Sequence, residues 1–304
     1  MPYNINRLKG SIAPVITPFD QNLEVDHVTL RRLIEWQIEE GSHGISVTGT
    51  TGEPSSLAMQ ERLGVFRTTI DTVAGRVPVV LATGSNNLEE TLELTHQAEV
   101  LGADAALVIV PYYNRPSQEG LYHYFVTVAK STQLPIVLYN IPGRTAVNLD
   151  PATMKRIRIA AENVVGVKEA NRDFEQVSMV LATVGRDFLV YSGIESLCYP
   201  MLMLGGAGHI SATANLMPKA VADLYNLVSE GNYQQALDLH FRLLPLNQAL
   251  FWETNPGPVK TALGLMGHIN PSVRLPLQLP GRDLTERLAA VLDAYGLIAR
   301  EGAL

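Results

Sequence analysis

Along the chain, short apolar runs rich in β-branched residues alternate with longer segments whose apolar positions recur every three or four residues, and the alternation repeats eight times. The short runs are Ser11–Thr17, Gly44–Val47, Val77–Ala82, Ala105–Val110, Pro135–Tyr139, Val164–Lys168, Phe188–Ser192 and Gly208–Ser211. Their near-continuous apolar character suits parallel strands covered on both faces. Helical periodicity marks His27–Glu40, Gln60–Ala74, Leu88–Leu101, Gln118–Ser131, Asp150–Ile159, Phe174–Val184, Leu197–Leu204 and Lys219–Glu230. Asp150-Pro151 reads as an N-cap followed by a first-turn proline, and Gly41, Gly75, Gly102 and Gly185 stand where a left-handed residue ends a helix.

Eight units of ~25–30 residues predict an α/β fold, a closed (β/α)8 TIM barrel, rather than a doubly wound sheet. The first strand is followed by Thr17-Pro18-Phe19-Asp20 instead of a glycine-rich dinucleotide turn, and no P-loop occurs. Past Glu230 only helical patterns remain: Tyr233–Phe251, Pro258–Met266 and Thr285–Tyr295. The predicted organisation is a barrel over residues 1–230 and a C-terminal helical extension over 231–304. With no flexible linker between them, the extension is expected to pack on the barrel.

Composition narrows the partners. The 304 residues are 46% apolar and 17% charged, ordinary for a globular chain. A net charge of −7 without any basic run gives no footprint for nucleic acid or an anionic membrane. No apolar run approaches the ~18 residues of a membrane span. Polar Asn4, Asn6, Arg7 and Lys9 argue against a signal peptide, and a single cysteine suits a reducing compartment, so a cytoplasmic location and small-metabolite partners are expected. The seven histidines show no metal-ligand spacing and read as surface or helix-packing residues. Cys198 reads as a small buried apolar residue.

In a barrel of this kind, chemistry sits at the C-terminal ends of the strands. Of six lysines, Lys9, Lys130, Lys155, Lys219 and Lys260 fall before a strand or in helical segments, where a solvated charge is ordinary. Lys168 ends a strand, and alternation places Val164, Gly166 and Lys168 on one face. If that face is the interior, Gly166 leaves room beside the lysine stem, and a desolvated amine is a Schiff-base nucleophile. The same spacing fits a strand-end lysine paired with Glu169 at the rim. Tyr139 suits proton transfer or a satisfied core position, and Arg144 suits a carboxylate clamp or a surface cation. The loop Thr48–Glu53 can cradle an anion or simply turn, while Tyr112 and Tyr113 have the character of interface anchors.

Together, Gly49-Thr50-Thr51-Gly52-Glu53, Pro111-Tyr112-Tyr113-Asn114-Arg115-Pro116, Tyr139-Asn140-Ile141-Pro142-Gly143-Arg144-Thr145 and Gly166-Val167-Lys168-Glu169-Ala170 closely resemble, in that order, the dihydrodipicolinate synthase and N-acetylneuraminate lyase family of class I pyruvate aldolases. The resemblance runs from about Ser11 to Pro280. It implies that Lys168 forms a Schiff base with pyruvate, that Tyr139 relays protons, and that Thr50 links it to Tyr113 from a neighbouring subunit. By the same resemblance Thr51 binds the pyruvate carboxylate, Arg144 the carboxylate of an aldehyde substrate, and the carbonyls of Gly193 and Ile210 line the site. No cofactor or metal is implied, and the expected assembly is a homotetramer, a dimer of dimers.

Thr50 and the Asn140–Arg144 loop resemble the synthase branch, whose aldehyde is L-aspartate-4-semialdehyde on the diaminopimelate route to lysine. Pro54 and Ile194 depart from that branch's usual residues. A paralogous aldolase acting on another 4-hydroxy-2-oxo acid and a non-catalytic binding protein on the same scaffold are the competing readings. Asn86, Glu90 and Tyr112 match the family's lysine-effector positions, but Met59 and Arg62 stand where inhibited members often carry histidines. Arg62 would repel an ammonium group, so weak or no inhibition by lysine is expected.

Overall fold

The computed structural model describes residues 4–298. Strands β1 (Gly10–Pro14), β2 (Gly44–Val47), β3 (Val79–Ala82), β4 (Ala105–Ile109), β5 (Ile136–Asn140), β6 (Val164–Glu169), β7 (Leu189–Ser192) and β8 (Gly208–His209) pair in sequence order. All pairings are parallel, and β8 pairs with β1 to close the barrel. Around it lie α1 (His27–Glu39), α2 (Met59–Val73), α3 (Leu88–Val100), α4 (Gln118–Lys130), the single turn α5 (Pro142–Thr145), α6 (Pro151–Ala160), α7 (Phe174–Val184), α8 (Cys198–Met203) and α9 (Pro218–Ser229). The TIM barrel expected from the eightfold pattern is therefore present, with boundaries shifted by a few residues.

Alternation along each strand sorts side chains into two cores. Ile12, Val80, Leu107, Val137 and Leu189 fill the barrel interior. Ala13, Ile45, Leu81, Val108 and Leu138 face the helices. The N-terminal end of the barrel is plugged where the buried Tyr191 hydroxyl donates to the Leu8 carbonyl at 2.8 Å.

Strand β6 breaks the alternation. Ile136 pairs with Val164 but Val137 pairs with Gly166, so Val165 is an extra residue, a β-bulge. Val164 and Val167 then face the helices while Val165 faces the interior. This corrects the expectation that Val164, Gly166 and Lys168 share a face. Gly166 makes no room for the lysine either: a Cβ there would lie 2.4 Å from the Leu189 carbonyl oxygen of β7. Its missing side chain permits close approach of two strands.

Helix signals held in part. Asp26 caps α1 by accepting from the Val28 and Thr29 amides. At α6 the Asp150 side chain makes no capping bond and instead accepts from Asn148 Nδ2 at 3.1 Å. Gly41, Gly75 and Gly102 have positive φ at their helix ends, but Gly185 has φ 125° and ψ 154°, outside the left-handed helical region.

The extension comprises α10 (Tyr233–Ala249), α11 (Gly257–Leu265) and α12 (Arg282–Ala294). Leu246, Val259, Leu263, Leu288 and Leu292 join the same apolar core as the barrel helices. No helix among the described residues is long and apolar enough to cross a membrane.

Candidate active site

The C-terminal ends of β5 and β6 lie in register, Tyr139 opposite Lys168 and Asn140 opposite Glu169. Lys168 is only 6% exposed, and its Nζ sits 4.3 Å from the centre of the Tyr139 ring. The Tyr139 hydroxyl lies 3.2 Å from Thr50 Oγ1, so lysine, tyrosine and threonine form one chain of groups across three strand ends. The room for the lysine stem comes from Gly193, just beyond β7. A Cβ at that position would lie 2.9 Å from Lys168 Cε and 3.2 Å from Cγ.

Glu169 does not pair with Lys168. Its carboxylate faces the opposite side of the strand, accepting from Asn140 Nδ2 at 2.9 Å, Gln176 Nε2 at 2.9 Å and the Asn171 amide at 2.9 Å. Asn140 Oδ1 in turn accepts from the Leu149 amide at 3.0 Å. Burial pushes the Glu169 pKa up to about 7 against the pull of those hydrogen bonds. The rim ion-pair reading is thereby excluded. The Asn140–Glu169 pair clamps, from behind, the two strands that carry Tyr139 and Lys168.

The loop after β2 approaches from the other side. Thr48 and Glu53 have positive φ, bracketing the tight turn Thr50–Gly52 that turns both threonines toward the barrel mouth. Thr51 Oγ1 accepts from Asn255 Nδ2 at 3.0 Å, and Arg144 Nη2 donates to the Asn255 carbonyl at 3.0 Å. Ile210 is buried in the interior cluster with Tyr139. A cavity of about 570 Å³ opens at this end, with Arg144, Ala170, Gly193 and Ile194 in its wall together with Asn247 and Phe251 of the extension.

Lysine, tyrosine and threonine thus meet at three strand ends, and the lysine stem passes Gly193, which with Arg144 lines the adjoining cavity. The pattern of the dihydrodipicolinate synthetase family matches residues 7–295. The chain belongs to that family, whose members are lyases of the aldolase kind. It is 48% identical to the 4-hydroxy-tetrahydrodipicolinate synthase of Thermus thermophilus, over 96% of this chain and 98% of that protein. Against the enzyme of the same name from Thermodesulfovibrio yellowstonii it is 47% identical over 95% of this chain and 99% of that one. The crystal structure of dihydrodipicolinate synthase from Aquifex aeolicus superposes with a TM-score of 0.94 at 41% identity, covering 96% of this chain and 100% of that one.

Other positions singled out from the family's motifs lie apart from this cluster. Tyr113 is 91% exposed on a loop with φ 70° and does not reach Thr50 of its own chain. Among the effector positions, Glu90 lies in the first turn of α3 and its carboxylate accepts from Arg62 Nη1 at 2.9 Å and Ser85 Oγ at 2.8 Å. Arg62 is itself buried, so its cation is committed to Glu90 and to the Ala82 carbonyl. The Asn86 carbonyl accepts from Asn114 Nδ2, and Tyr112 lies within electrostatic range of Arg62.

Two readings from sequence require correction. Lys260 is no solvated helix cation: it is fully buried, 2.5 Å from Glu53 and 4.0 Å above the Phe19 ring. Burial lowers its pKa to about 8 despite the carboxylate. His209 is not a surface residue but lies wholly buried on β8, its Nε2 2.9 Å from the Val221 carbonyl. Asn255 has no mark in the sequence, because an isolated asparagine between two helices carries no periodic or spacing signal. Cys198 is buried as expected, and burial raises its thiol pKa.

Proposed function

We propose that this chain condenses pyruvate with L-aspartate-4-semialdehyde through a Schiff base on Lys168. The observation that carries the reading is the burial of Lys168 beside Tyr139, with the buried Glu195 within electrostatic range of the amine. In this scheme Nζ attacks C2 of pyruvate, water leaves, and the protonated imine makes a C3 proton easy to remove. The enamine carbon then attacks the aldehyde carbon, forming the new C–C bond. The amino group of the second substrate next attacks C2, closes the ring and displaces the lysine, so nitrogen and protons balance without a redox step. Tyr139 passes the protons of imine formation and addition, with Thr50 holding its hydroxyl. Thr51 receives the pyruvate carboxylate and Arg144 the carboxylate of the aldehyde, which its fork suits. Backbone carbonyls of Gly193 and Ile210 line the pocket, and neither metal nor organic cofactor enters the scheme. Tyr113, exposed in a single chain, completes the relay from a neighbouring subunit of a homotetramer. The compartment assigned is the cytoplasm.

The test is turnover by purified protein given pyruvate and aspartate semialdehyde. Ring product is expected; no turnover, with pyruvate released from a different 4-hydroxy-2-oxo acid, would place the chain among paralogous aldolases instead. For regulation, the proposal is insensitivity to lysine, because the Glu90 carboxylate that would meet an ammonium group is already held by Arg62. Strong inhibition at submillimolar lysine would contradict it.

A further inference from the structure

The sequence alone treats everything past Glu230 as an appendage, yet one residue of that extension touches both carboxylate-binding groups of the proposed site. Asn255 is 5% exposed. Its Nδ2 donates to Thr51 Oγ1 at 3.0 Å and its backbone carbonyl accepts from Arg144 Nη2 at 3.0 Å. A hydroxyl that has accepted a hydrogen from an amide keeps its own O–H free to donate, and a carboxylate is an acceptor only. The same logic holds for the guanidinium: with one N–H fixed on a carbonyl, its remaining donors are oriented rather than free to rotate.

A second connection between the same two segments holds this arrangement still. Glu53, two residues after Thr51, pairs with Lys260, five residues after Asn255. The pair is closed over by Phe19, by the Ser272 carbonyl accepting from Lys260 Nζ at 2.9 Å, and by the Arg274 amide donating to Glu53 at 3.2 Å. Asn255 therefore sits on a rigid support.

We infer that Asn255 is a positioning residue that aims the Thr51 hydroxyl proton and the Arg144 guanidinium at substrate carboxylates, making the C-terminal extension part of the substrate-recognition machinery. The inference rests on the Schiff-base reading above. It predicts a loss confined to carboxylate recognition, because Asn255 touches neither Lys168 nor Tyr139.

The experiment is borohydride trapping on the full-length chain, read by intact mass, as a function of ketone concentration. For Asn255→Ala the half-saturating pyruvate concentration is expected to rise ~10- to 100-fold, the loss of one hydrogen bond to a charged group. Trapping of acetone, which has no carboxylate, should be unchanged. Asn255→Asp preserves the side chain's volume, but an ionised carboxylate accepts and cannot donate, so it draws the Thr51 proton away. Its pyruvate affinity should fall at least as far as that of the alanine variant. In a Thr51→Val background, Asn255→Ala should cost little more pyruvate affinity. Unaltered pyruvate trapping in either variant, equal losses for pyruvate and acetone, or additive losses with Thr51→Val would overturn the inference while leaving the Schiff base intact. Absence of any adduct on the unsubstituted chain would overturn the Schiff-base reading and this inference with it.

Discussion

At the scale of single residues, two glycines show how differently an absent side chain can act. Gly166 lets β6 and β7 approach, whereas Gly193 leaves the volume through which the Lys168 stem passes. Substituting Gly193 by alanine would press a methyl group against Lys168 Cε and Ala170 Cβ, at a backbone position with no positive φ to strain. A nucleophile displaced by ~1 Å loses ~10²-fold in rate. Gly193→Ala is therefore expected to lower kcat by about that factor. Steady-state kinetics check this, and a variant with full kcat would refute the assignment of that space to the lysine. Spacing alone left Lys168 open between a nucleophile and a rim ion pair and Tyr139 between a proton carrier and a core position; the family's motifs singled both out, and the structure sets them side by side. The face of Val164 was misread because the bulge at Val165 adds one residue without any compositional mark, while Gly166 keeps the face of Lys168.

At the scale of elements, the barrel was legible because eight apolar runs separated by helical periods have few other ways to bury themselves. What periodicity cannot give is which side chains meet between elements distant in sequence. The buried ion pair of Glu53 with Lys260, the Asn255 contacts and the position of His209 all belong to that class. His209 joins β8 to α9 by donating from Nε2 to the Val221 carbonyl. Burial holds its pKa down to about 4, against an ordinary 6.5. Above pH 6.5 the ring is neutral in both folded and unfolded chains and costs nothing. As pH falls from 6.5 to 4, the unfolded chain takes up a proton that the folded chain refuses, so stability falls by about 3 kcal/mol from this group. A His209→Gln variant can still donate to Val221 but does not titrate. The stability difference between it and the parent, followed by denaturant unfolding, is expected to shift by that amount in the variant's favour over this window. A constant difference would mean that the ring is charged when folded or is reached by solvent.

For the whole molecule, the exposed Tyr113 and the incomplete relay at Thr50 make assembly part of the proposed mechanism. If Tyr113 serves a neighbour's site, a chain lacking Tyr113 and a chain lacking Lys168 fail in different sites of a mixed oligomer. Mixing Tyr113→Phe with Lys168→Ala, dissociating and reassembling them, should restore some sites having both groups native and hence activity above that of either variant alone. Activity no greater than the average of the two would show that each site is built from one chain. The family's motifs placed every catalytic position in the first 230 residues, so sequence reading treated the remainder as packing. The structure instead puts Asn247 and Phe251 of the extension in the cavity wall with Gly193, and Asn255 against Thr51.

The central claim is that Lys168 is the covalent nucleophile toward pyruvate. Its most direct test is to incubate the intact protein with pyruvate, reduce with borohydride, and map the modification by peptide mass spectrometry. The account predicts one reduced pyruvate per chain, located on Lys168 and absent from Lys168→Ala. An unmodified chain, or an adduct on the buried Lys260 or any other lysine, would contradict it.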